Sequence, residues 1–328
     1  MSIAVPLYGF GASGGGSGGT LTVTAPANVT VSVSKDGKTK TKNSGVSGVV
    51  VFKGLASGTW TVTITGDGKT AQKNVVVTTD YSTAISFNTI PEFTYTGDYE
   101  IVNDSDEPIT VSQGNWKIRF LTSGTLTFTN LNGAEDGIDV FLVGGGGGSW
   151  YGTWGGDSNP NFVPSAAAGG GYTTTKKNIS VTVGTQYAIS IGAGGLGGTG
   201  DSNESGKNGG NTTAFGATAN GGKTGTTKAK GGDGGSGGAG YGGSSGGIDG
   251  ADGSGGQYDE WAGGKGQGTT TREFAESAGK LYSTGGSFNK SNEVTANTGD
   301  GGNHGSAQAN GHTGASGIVV VRNAREAA

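Results

Sequence analysis

The 328-residue sequence contains no cysteine, only two histidines, six prolines and one methionine. Without cysteine the chain can form neither disulfide bonds nor thiolate metal sites, so its fold must be stabilised by packing and hydrogen bonds. Its 21 lysines and arginines form no cluster and the net charge is −4, whereas proteins that bind nucleic acid concentrate positive charge. We therefore do not expect a nucleic-acid partner, and the composition implies no cofactor.

Long apolar runs are also missing. No stretch approaches the roughly 18 apolar residues of a transmembrane helix, so we expect no membrane insertion. The N-terminal segment MSIAVPLYGFGASGGG has no basic region and its apolar part is broken by Pro6, a pattern that does not predict a secretory signal peptide. Residues 1–20 instead combine a short apolar plug with a Gly/Ser linker, which is the composition of an attachment peptide or of a disordered tail.

Alternating polar and apolar residues predict β-strands through much of the first 143 residues. In residues 21–88, the Asp-Gly pairs of KDGK and GDGK lie between alternating runs, which is a strong hairpin signal. This segment predicts a small antiparallel β-sandwich, and GVVVFKGLASGTWTVTI resembles the prealbumin-like and carboxypeptidase-regulatory-like modules that act as spacers. The apolar runs at residues 138–143 and 318–321 predict buried strands that pair and close the region between them at its base.

Glycine is the abundant residue, with 19 copies in residues 1–143 and 54 in residues 144–328. In the tract GGDGGSGGAGYGGSSGG, glycine recurs at every third position. The glycines in this phase are Gly231, Gly234, Gly237, Gly240, Gly243 and Gly246. A period of three matches the polyproline II helix, and collagen is excluded because the last proline is Pro164.

We therefore predict polyglycine II helices, in which neighbouring extended chains hydrogen-bond to one another through their backbones. The rise of about 3.1 Å per residue predicts a rod of roughly 50 Å for residues 231–246 if the segment is straight. The alternative interpretation is a disordered linker, which is the usual state of Gly/Ser/Asp-rich sequence.

These patterns together predict an all-β fold: a small N-terminal antiparallel β-sandwich, then a β domain that carries a large polyglycine II helix bundle. The predicted divisions are residues 1–20 (attachment peptide and linker), 21–88 (spacer sandwich), 89–143 (base strands), 144–317 (polyglycine II domain) and 318–328 (closing strand and tail).

Few residues suggest chemistry, and we predict neither catalytic residues nor a metal site. His304 and His312 have no acidic neighbour at metal-ligand spacing and are interpreted as surface-loop residues. Asp249 and Asp252 hint at a calcium site but fit neither the EF-hand loop nor the nonapeptide repeat. The acidic run at residues 104–107 precedes a proline and predicts a solvated loop.

Aromatic residues concentrate beside polar ones in two glycine-flanked segments. The candidate binding residues are Trp150, Tyr151, Trp154, Asp157, Asn159, Asn161, Phe162, Tyr258 and Trp261. Flat apolar rings next to hydrogen-bonding side chains are suited to holding a sugar ring or a protein hot spot. The same rings are also suited to capping the ends of a glycine lattice or to packing in a subunit interface.

The order of several motifs resembles a known family. NWKIRFLTSGTLTFTNLNGAEDGIDVFLVGGGGG, GGGYTTTKKNISVTVGTQYAISIGAGG, GQGTTTREF, LYSTGGS and SGIVVVRNA resemble the glycine-rich domain of phage tail proteins from viruses of Gram-positive gut bacteria. The opening VPLYGFGASGGG resembles the N-termini of such tail and tail-fibre proteins.

That resemblance implies a virion tail protein without enzymatic activity, probing the host surface through its glycine-rich domain. Its expected partners are other tail or baseplate proteins at the N-terminus and a host surface polysaccharide or protein, with a homotrimer as one assembly. A purely structural virion part, such as a baseplate, collar or fibre segment, is the alternative. A cell-surface adhesin fits less well because no export signal or anchor is evident.

Overall fold

The computed structural model describes residues 18–66, 69–87, 89–112, 114–151, 166–199, 205–225, 231–240, 251–252, 265–266, 268–287, 294–304 and 310–325. The chain forms two compact units, Met1–Asn88 and Thr89–Ala328. Strands make up the regular structure of both, with short 3-10 helices at Gly268–Thr271 and Glu273–Ala275 in the described part of the chain. The predicted all-β fold is confirmed. No helix among the described residues has the length and apolar character needed to cross a membrane.

The first unit is a sandwich of two sheets. Its strands are β1 (Gly19–Thr24), β2 (Thr30–Lys35), β3 (Lys38–Asn43), β4 (Val49–Leu55), β5 (Gly58–Gly66), β6 (Lys69–Val77) and β7 (Tyr81–Ala84). One sheet has the order β4-β1-β7 and the other β3-β2-β5-β6. All pairs are antiparallel except β1 with β7. Alternate residues such as Val31, Val33 and Phe52 fill the core between the sheets.

The first of the two predicted hairpin turns is present, and the Asp67–Gly68 pair of the second lies outside the described residues. Asp36 and Gly37 both have positive φ angles, 49° and 73°, and they lie between the paired residues Lys35 and Lys38. A two-residue loop with positive φ at both positions matches the right-handed twist of the flanking strands, which is why Asp-Gly is favoured there.

The second unit contains two five-stranded sheets. Its strands are β8 (Glu92–Tyr95), β9 (Tyr99–Val102), β10 (Lys117–Phe120), β11 (Gly124–Asn130), β12 (Ile138–Val143), β13 (Thr173–Ile179), β14 (Gln186–Ser190), β15 (Thr212–Ala214), β16 (Ala217–Ala219), β17 (Ala251–Asp252), β18 (Lys265–Gly266) and β19 (Ile318–Asn323). The sheet orders are β13-β12-β19-β10-β9 and β16-β15-β14-β11-β8, and β17 pairs with β18.

The predicted pairing of the two bracketing strands is confirmed, because β12 and β19 lie side by side with Val140 opposite Val321. Alternate residues of these strands, together with Ile118 and Phe128, form one apolar core. The opposite face of the same strands is also covered. There Phe141 and Val320 pack against Phe274 of the second 3-10 helix and against Tyr282, which follows it.

Six glycine-rich segments adjoin the ends of β12, β13, β14, β15, β16 and β19, and three more lie elsewhere in the second unit. We call them the glycine bundle: residues 144–151, 166–172, 192–199, 205–211, 220–225, 231–240, 283–287, 299–304 and 310–317. Residues 144–151 leave β12 and residues 166–172 enter β13, so Tyr151 and Ala166 lie at the end of the bundle away from the sheets. We call this end the far end.

The expectation of a straight rod over residues 231–246 is wrong for its described part. Gly232 and Gly235 donate to the carbonyls of Ala167 and Gly170 in parallel register, whereas the carbonyls of Ser236 and Ala239 accept from Gly170 and Ala167 in antiparallel register. The chain therefore reverses near residue 235. Because of the reversal, the residues on both sides of it bond to residues 167–170, whereas a straight rod would extend past that segment.

Candidate functional site

The candidate site is the glycine bundle, and its centre is the segment 144–150. Successive N–H groups there donate to three neighbouring segments in rotation. Gly144, Gly147 and Trp150 donate to the carbonyls of Tyr172, Gly169 and Ala166 at 2.9, 2.9 and 3.2 Å. The intervening residues bond to two other segments: Gly145 and Gly148 to Gly210 and Lys207, and Gly146 and Ser149 to Ala315 and His312. The direction of bonding thus repeats every third residue.

The carbonyls of the central segment point to further neighbours. Gly146 and Ser149 accept from Gly195 and Gly198. Gly145 and Gly147 accept from Gly222 and Gly302, each at 2.8 Å. The segment is therefore hydrogen-bonded to six other segments of the same chain. A sheet strand bonds to two neighbours at most, so this arrangement is a three-dimensional network and not a sheet.

Close backbone approach explains why the residue type is glycine. A Cβ atom added at Gly146 would lie 1.9 Å from the Asp300 carbonyl oxygen, and one at Gly148 would lie 2.0 Å from that of Leu196. At the predicted lattice positions Gly231 and Gly234 the same distances are 1.8 and 1.9 Å, to Gly238 and Gly170. No side chain fits at these contacts. Gly237 and Gly240 are buried, and Gly243 and Gly246 lie outside the described residues.

Side-chain oxygens replace backbone carbonyls where the bundle reaches its edge. The side chains of Asn208 and Asn211, three residues apart, accept from the N–H groups of Thr224 and Gly221 at 3.0 Å each. Asp300 and Asn303, also three apart, accept from Thr284 and Ser287 at 2.8 and 2.9 Å. The period of three therefore extends to polar side chains, which take the place of backbone carbonyls as acceptors for these N–H groups.

Two titratable groups lie in this network, the half-buried Asp300 and the buried His304. Burial raises the pKa of Asp300, although hydrogen bonds from Thr298 and Thr284 oppose the shift. His304 is 1% exposed, and burial together with the nearby His312 lowers its pKa to about 4. The prediction that His304 lies in a surface loop is thus wrong. Its backbone N–H donates to the Ser287 carbonyl, and its ring lies within the bundle.

A network of charged side chains lies on the face of the sheet β13-β12-β19-β10-β9 that carries Phe141. The Lys117 ammonium bonds to Asp106 and to Glu273 at 2.5 and 2.8 Å, and Arg119 bonds to both of the same carboxylates. Burial pushes the pKa of Asp106 upward, but hydrogen bonds from Arg119 and Lys117 outweigh it and hold that pKa below its usual value.

A second group of ion pairs lies beside the first. Arg322 bonds to the fully buried Asp139 at 3.1 Å and to Glu276 through two nitrogens. The hydrogen bonds from Arg322 lower the pKa of Glu276 despite partial burial. A polar cavity of about 360 Å³ adjoins both groups. Every cation in the buried part of the cavity lining is paired with a carboxylate. The ion pairs therefore stabilise the base strands and leave no unpaired cation in that part of the lining for a charged ligand.

These contacts correct the interpretation of residues 104–107 as a merely solvated loop. Asp106 binds Lys117 and Arg119, and Asp104 binds Arg325 at 2.7 Å. Sequence analysis missed Lys117, Arg119 and Glu273. Two basic residues at alternate positions of the run KIRF, on the face opposite its apolar residues, were the available signal.

The structure places only two of the candidate binding residues. Trp150 is 8% exposed, and its indole Nε1 is buried with no hydrogen-bond partner among the described residues. Tyr151, next along the chain, is half-buried. The candidates outside the described residues are Trp154, Asp157, Asn159, Asn161, Phe162, Tyr258 and Trp261. In the described part of the chain, no group of three or more His, Asp or Glu side chains could hold a metal ion.

Comparison with known proteins identifies the family. A glycine-rich domain family model matches residues 121–324. The chain belongs to the glycine-rich domain family. Within this glycine-rich protein the matched residues begin directly after β10 and extend through β19, so they include the whole glycine bundle and exclude β8, β9 and β10.

Other comparisons add little to that assignment. No curated protein matches the glycine-rich protein. Among solved structures, it matches a DUF3823 family protein from Bacteroides ovatus with 11% sequence identity and a TM-score of 0.21, over 52% of this chain and 87% of that chain. A TM-score at this level is below that of a shared fold.

Proposed function

We propose that the glycine bundle is a rigid polyglycine II lattice that presents the segments at its far end to a cell surface, and that the protein is a phage tail component that binds its host. The observation that carries the proposal is the central segment with hydrogen bonds to six neighbours, repeating every third residue. This is the pattern that bundled threefold extended helices require, because such helices have no internal hydrogen bonds.

Rigidity supports a presenting role. A recognition site is effective when its backbone is held before binding, because less conformational entropy is then lost on association. The bundle provides that support from backbone hydrogen bonds instead of an apolar core. It is also joined to a conventional core through β12, β13, β14, β15, β16 and β19, which fixes its near end.

The position of the aromatic residues supports the far end as the binding surface. Tyr151 and Ala166 lie at that end, and the segment that connects them contains Trp154 and Phe162. Tyr and Trp are favoured at binding hot spots, and their rings suit sugar faces as well as protein pockets. A host surface polysaccharide or protein is therefore the proposed receptor.

Attachment to other tail or baseplate proteins is assigned to residues 1–20, of which residues 1–17 lie outside the described residues. In a virion, several copies of the protein would engage the same cell. Effective concentration then converts a modest single-site affinity into strong attachment.

A structural virion role is the second candidate. Trp150 favours this role, because the residue is 8% exposed and is therefore better placed to cap the end of the lattice than to contact a receptor. In that case the bundle provides stiffness, and the far end contacts other virion chains.

Binding of the labelled full chain to Gram-positive gut bacteria tests the proposal. The informative variants are Tyr151→Ala, Trp154→Ala and Trp261→Ala, while Trp150 is left intact because its burial makes it structural. Tyr81→Ala is a matched control, since Tyr81 is 45% exposed in the first unit. We expect saturable binding that falls at least tenfold in the triple variant and is unchanged in the control. A folded chain that binds to none of the cells tested would support the structural role.

A further inference from the structure

The outer face of the four-stranded sheet in the first unit carries no charged side chain. Its outward residues, identified from the strand register, are Thr30, Ser32 and Ser34 of β2, Thr39, Thr41 and Asn43 of β3, Thr59, Thr61, Thr63 and Thr65 of β5, and Thr70, Gln72, Asn74 and Val76 of β6. We call this surface the hydroxyl face. All of these residues are exposed or half-buried, and all except Val76 have a hydroxyl or amide group.

The residues of the hydroxyl face line up in rows across the four strands. One row is Thr41, Ser32, Thr63 and Gln72, and the adjacent row begins with Thr39 and Ser34. Neighbouring strands are about 4.8 Å apart and same-face residues about 6.8 Å apart along a strand, so the grid is roughly 15 Å by 20 Å. The result is a broad, regular array of hydrogen-bonding groups.

Charge is excluded from this face although charge is present in the same strands. In β3, whose sequence is KTKTKN, the threonines face outward and the lysines share the inward face with Val31 and Val33. The lysines instead cross the open edges of the sandwich. Lys40 and Lys42 donate to carbonyls of β4 at 2.7 Å each, and Lys73 donates to the Ala84 carbonyl at 3.0 Å. Ordinary domain surfaces are about 25–35% charged.

Most hydroxyl groups of the face are available to a ligand. Among the described residues, the hydrogen bonds of these side chains are those of Ser32 with the Thr63 carbonyl at 3.5 Å, of Thr61 with Asn74 at 2.9 Å, and of Asn43, whose side-chain oxygen accepts from the Gly45 N–H at 2.8 Å. Each remaining hydroxyl can act as both donor and acceptor. A surface of this kind matches a ligand that itself presents many hydroxyl groups and no charge.

We propose that the hydroxyl face binds a neutral polysaccharide. A nucleic acid or other polyanion would need cationic side chains on the face, and there are none. A protein partner would need a buried apolar centre, and Val76 is the only large apolar residue present. Neutral sugar chains instead form rows of hydroxyl groups that the grid can pair with directly or through water. Single contacts would be weak, and repeated copies would strengthen them.

This inference concerns a separate surface and does not depend on the proposed role of the glycine bundle. The test is affinity electrophoresis of the full chain in gels containing dextran, mannan or starch, and co-sedimentation with cellulose and chitin. Hyaluronate is the anionic comparison polymer. We expect retardation or co-sedimentation with at least one neutral polymer and none with hyaluronate.

Two variants of equal charge make the test specific to the face. Thr41→Lys with Thr63→Lys places two charges in the middle of the grid. Thr24→Lys with Ser82→Lys places the same charges on the outward face of the three-stranded sheet, where Leu21 and Val23 define the inward side. Thermal unfolding checks that both variants remain folded.

The grid variant should lose binding at least tenfold, while the control variant should bind like the parent chain. The proposal is overturned if the parent binds none of the five neutral polymers, or if both variants bind equally well. Sedimentation velocity adds a further decisive result. If the parent self-associates through this face and only the grid variant is monomeric, the partner is a second copy and not a polysaccharide.

Discussion

The central glycines of the glycine bundle are constrained by backbone contact and not by backbone conformation. Gly145 to Gly148 have no positive φ angle, so any L-residue could adopt their conformation. They are restricted because the neighbouring carbonyl occupies the space of a side chain. A buried glycine with negative φ is thus as intolerant of substitution here as a core leucine is in a conventional domain.

The first prediction concerns Gly146→Ala. Its Cβ would lie 1.9 Å from a backbone carbonyl oxygen, and a backbone in a six-neighbour network cannot retreat locally. We expect destabilisation of more than about 4 kcal/mol, in the range reserved for severe packing defects, measured by denaturant unfolding. Gly114→Ala is the control, because a Cβ there meets nothing within 4 Å. Equal stability of the two variants would contradict the contact argument.

The second prediction concerns Asp300→Asn. Burial raises the pKa of Asp300, so the folded state disfavours the charged form, and the stability of the parent falls as pH rises above the unfolded pKa of about 3.9. Asparagine keeps the oxygen that accepts from Thr284 and removes the charge. We expect a higher melting temperature than the parent at pH 7 and no difference near pH 3. A lower melting temperature at pH 7 would show that the carboxylate is required.

The third prediction concerns acid. The folded pKa of His304 is about 4 and the unfolded value is about 6.5. The unfolded state therefore binds more protons between these values, and stability should fall by about 3 kcal/mol as pH drops through that range. His304→Gln should flatten the part of the curve between pH 6.5 and 5, above the titration of most carboxylates. His312→Gln should leave most of the slope in place.

At the scale of elements, strands and glycine segments depend on each other. Six strands of the second unit continue directly into or out of the bundle, so the sheets set where six of its nine glycine segments begin or end. The outer face of β10, β12 and β19 is held by Lys117, Arg119 and Arg322, whose carboxylate partners come from residues 100, 106, 139, 273 and 276.

The fourth prediction follows from the strands that the family match omits. A fragment of residues 121–328 lacks β8, β9 and β10, and so loses Trp116, Ile118 and Phe120 from the core and leaves Glu273 buried without Lys117 and Arg119. An unpaired buried charge typically costs several kcal/mol. We expect this fragment to be insoluble or unfolded by circular dichroism, and residues 89–328 to unfold cooperatively. Cooperative unfolding of the shorter fragment would show that the matched residues are sufficient.

The sequence predicted the strands and turns better than it predicted which segments lie side by side. The strands, the Asp-Gly turn and the pairing of β12 with β19 follow from local patterns that side chains produce. The order of the glycine segments does not, because glycines present no side-chain pattern that distinguishes one neighbour from another. The ion pair between Lys117 and Glu273 was also beyond reach, since the two residues are 156 positions apart and no local pattern links them.

The whole molecule consists of two β units that use different sources of stability. The first buries alternate apolar residues between sheets, and the second adds a bundle whose interior is backbone. The central claim is that this bundle is a hydrogen-bonded lattice and not a flexible linker, although its composition alone would favour the linker.

Amide hydrogen exchange of residues 144–150 tests that claim most directly. Each of these N–H groups has a carbonyl acceptor at 2.8–3.2 Å, and all seven residues are buried. The account predicts that they exchange as slowly as the amides of the adjoining strand β12, through global unfolding. Exchange at the rate of an unstructured glycine peptide, while β12 stays protected, would contradict the lattice and return the segment to a linker.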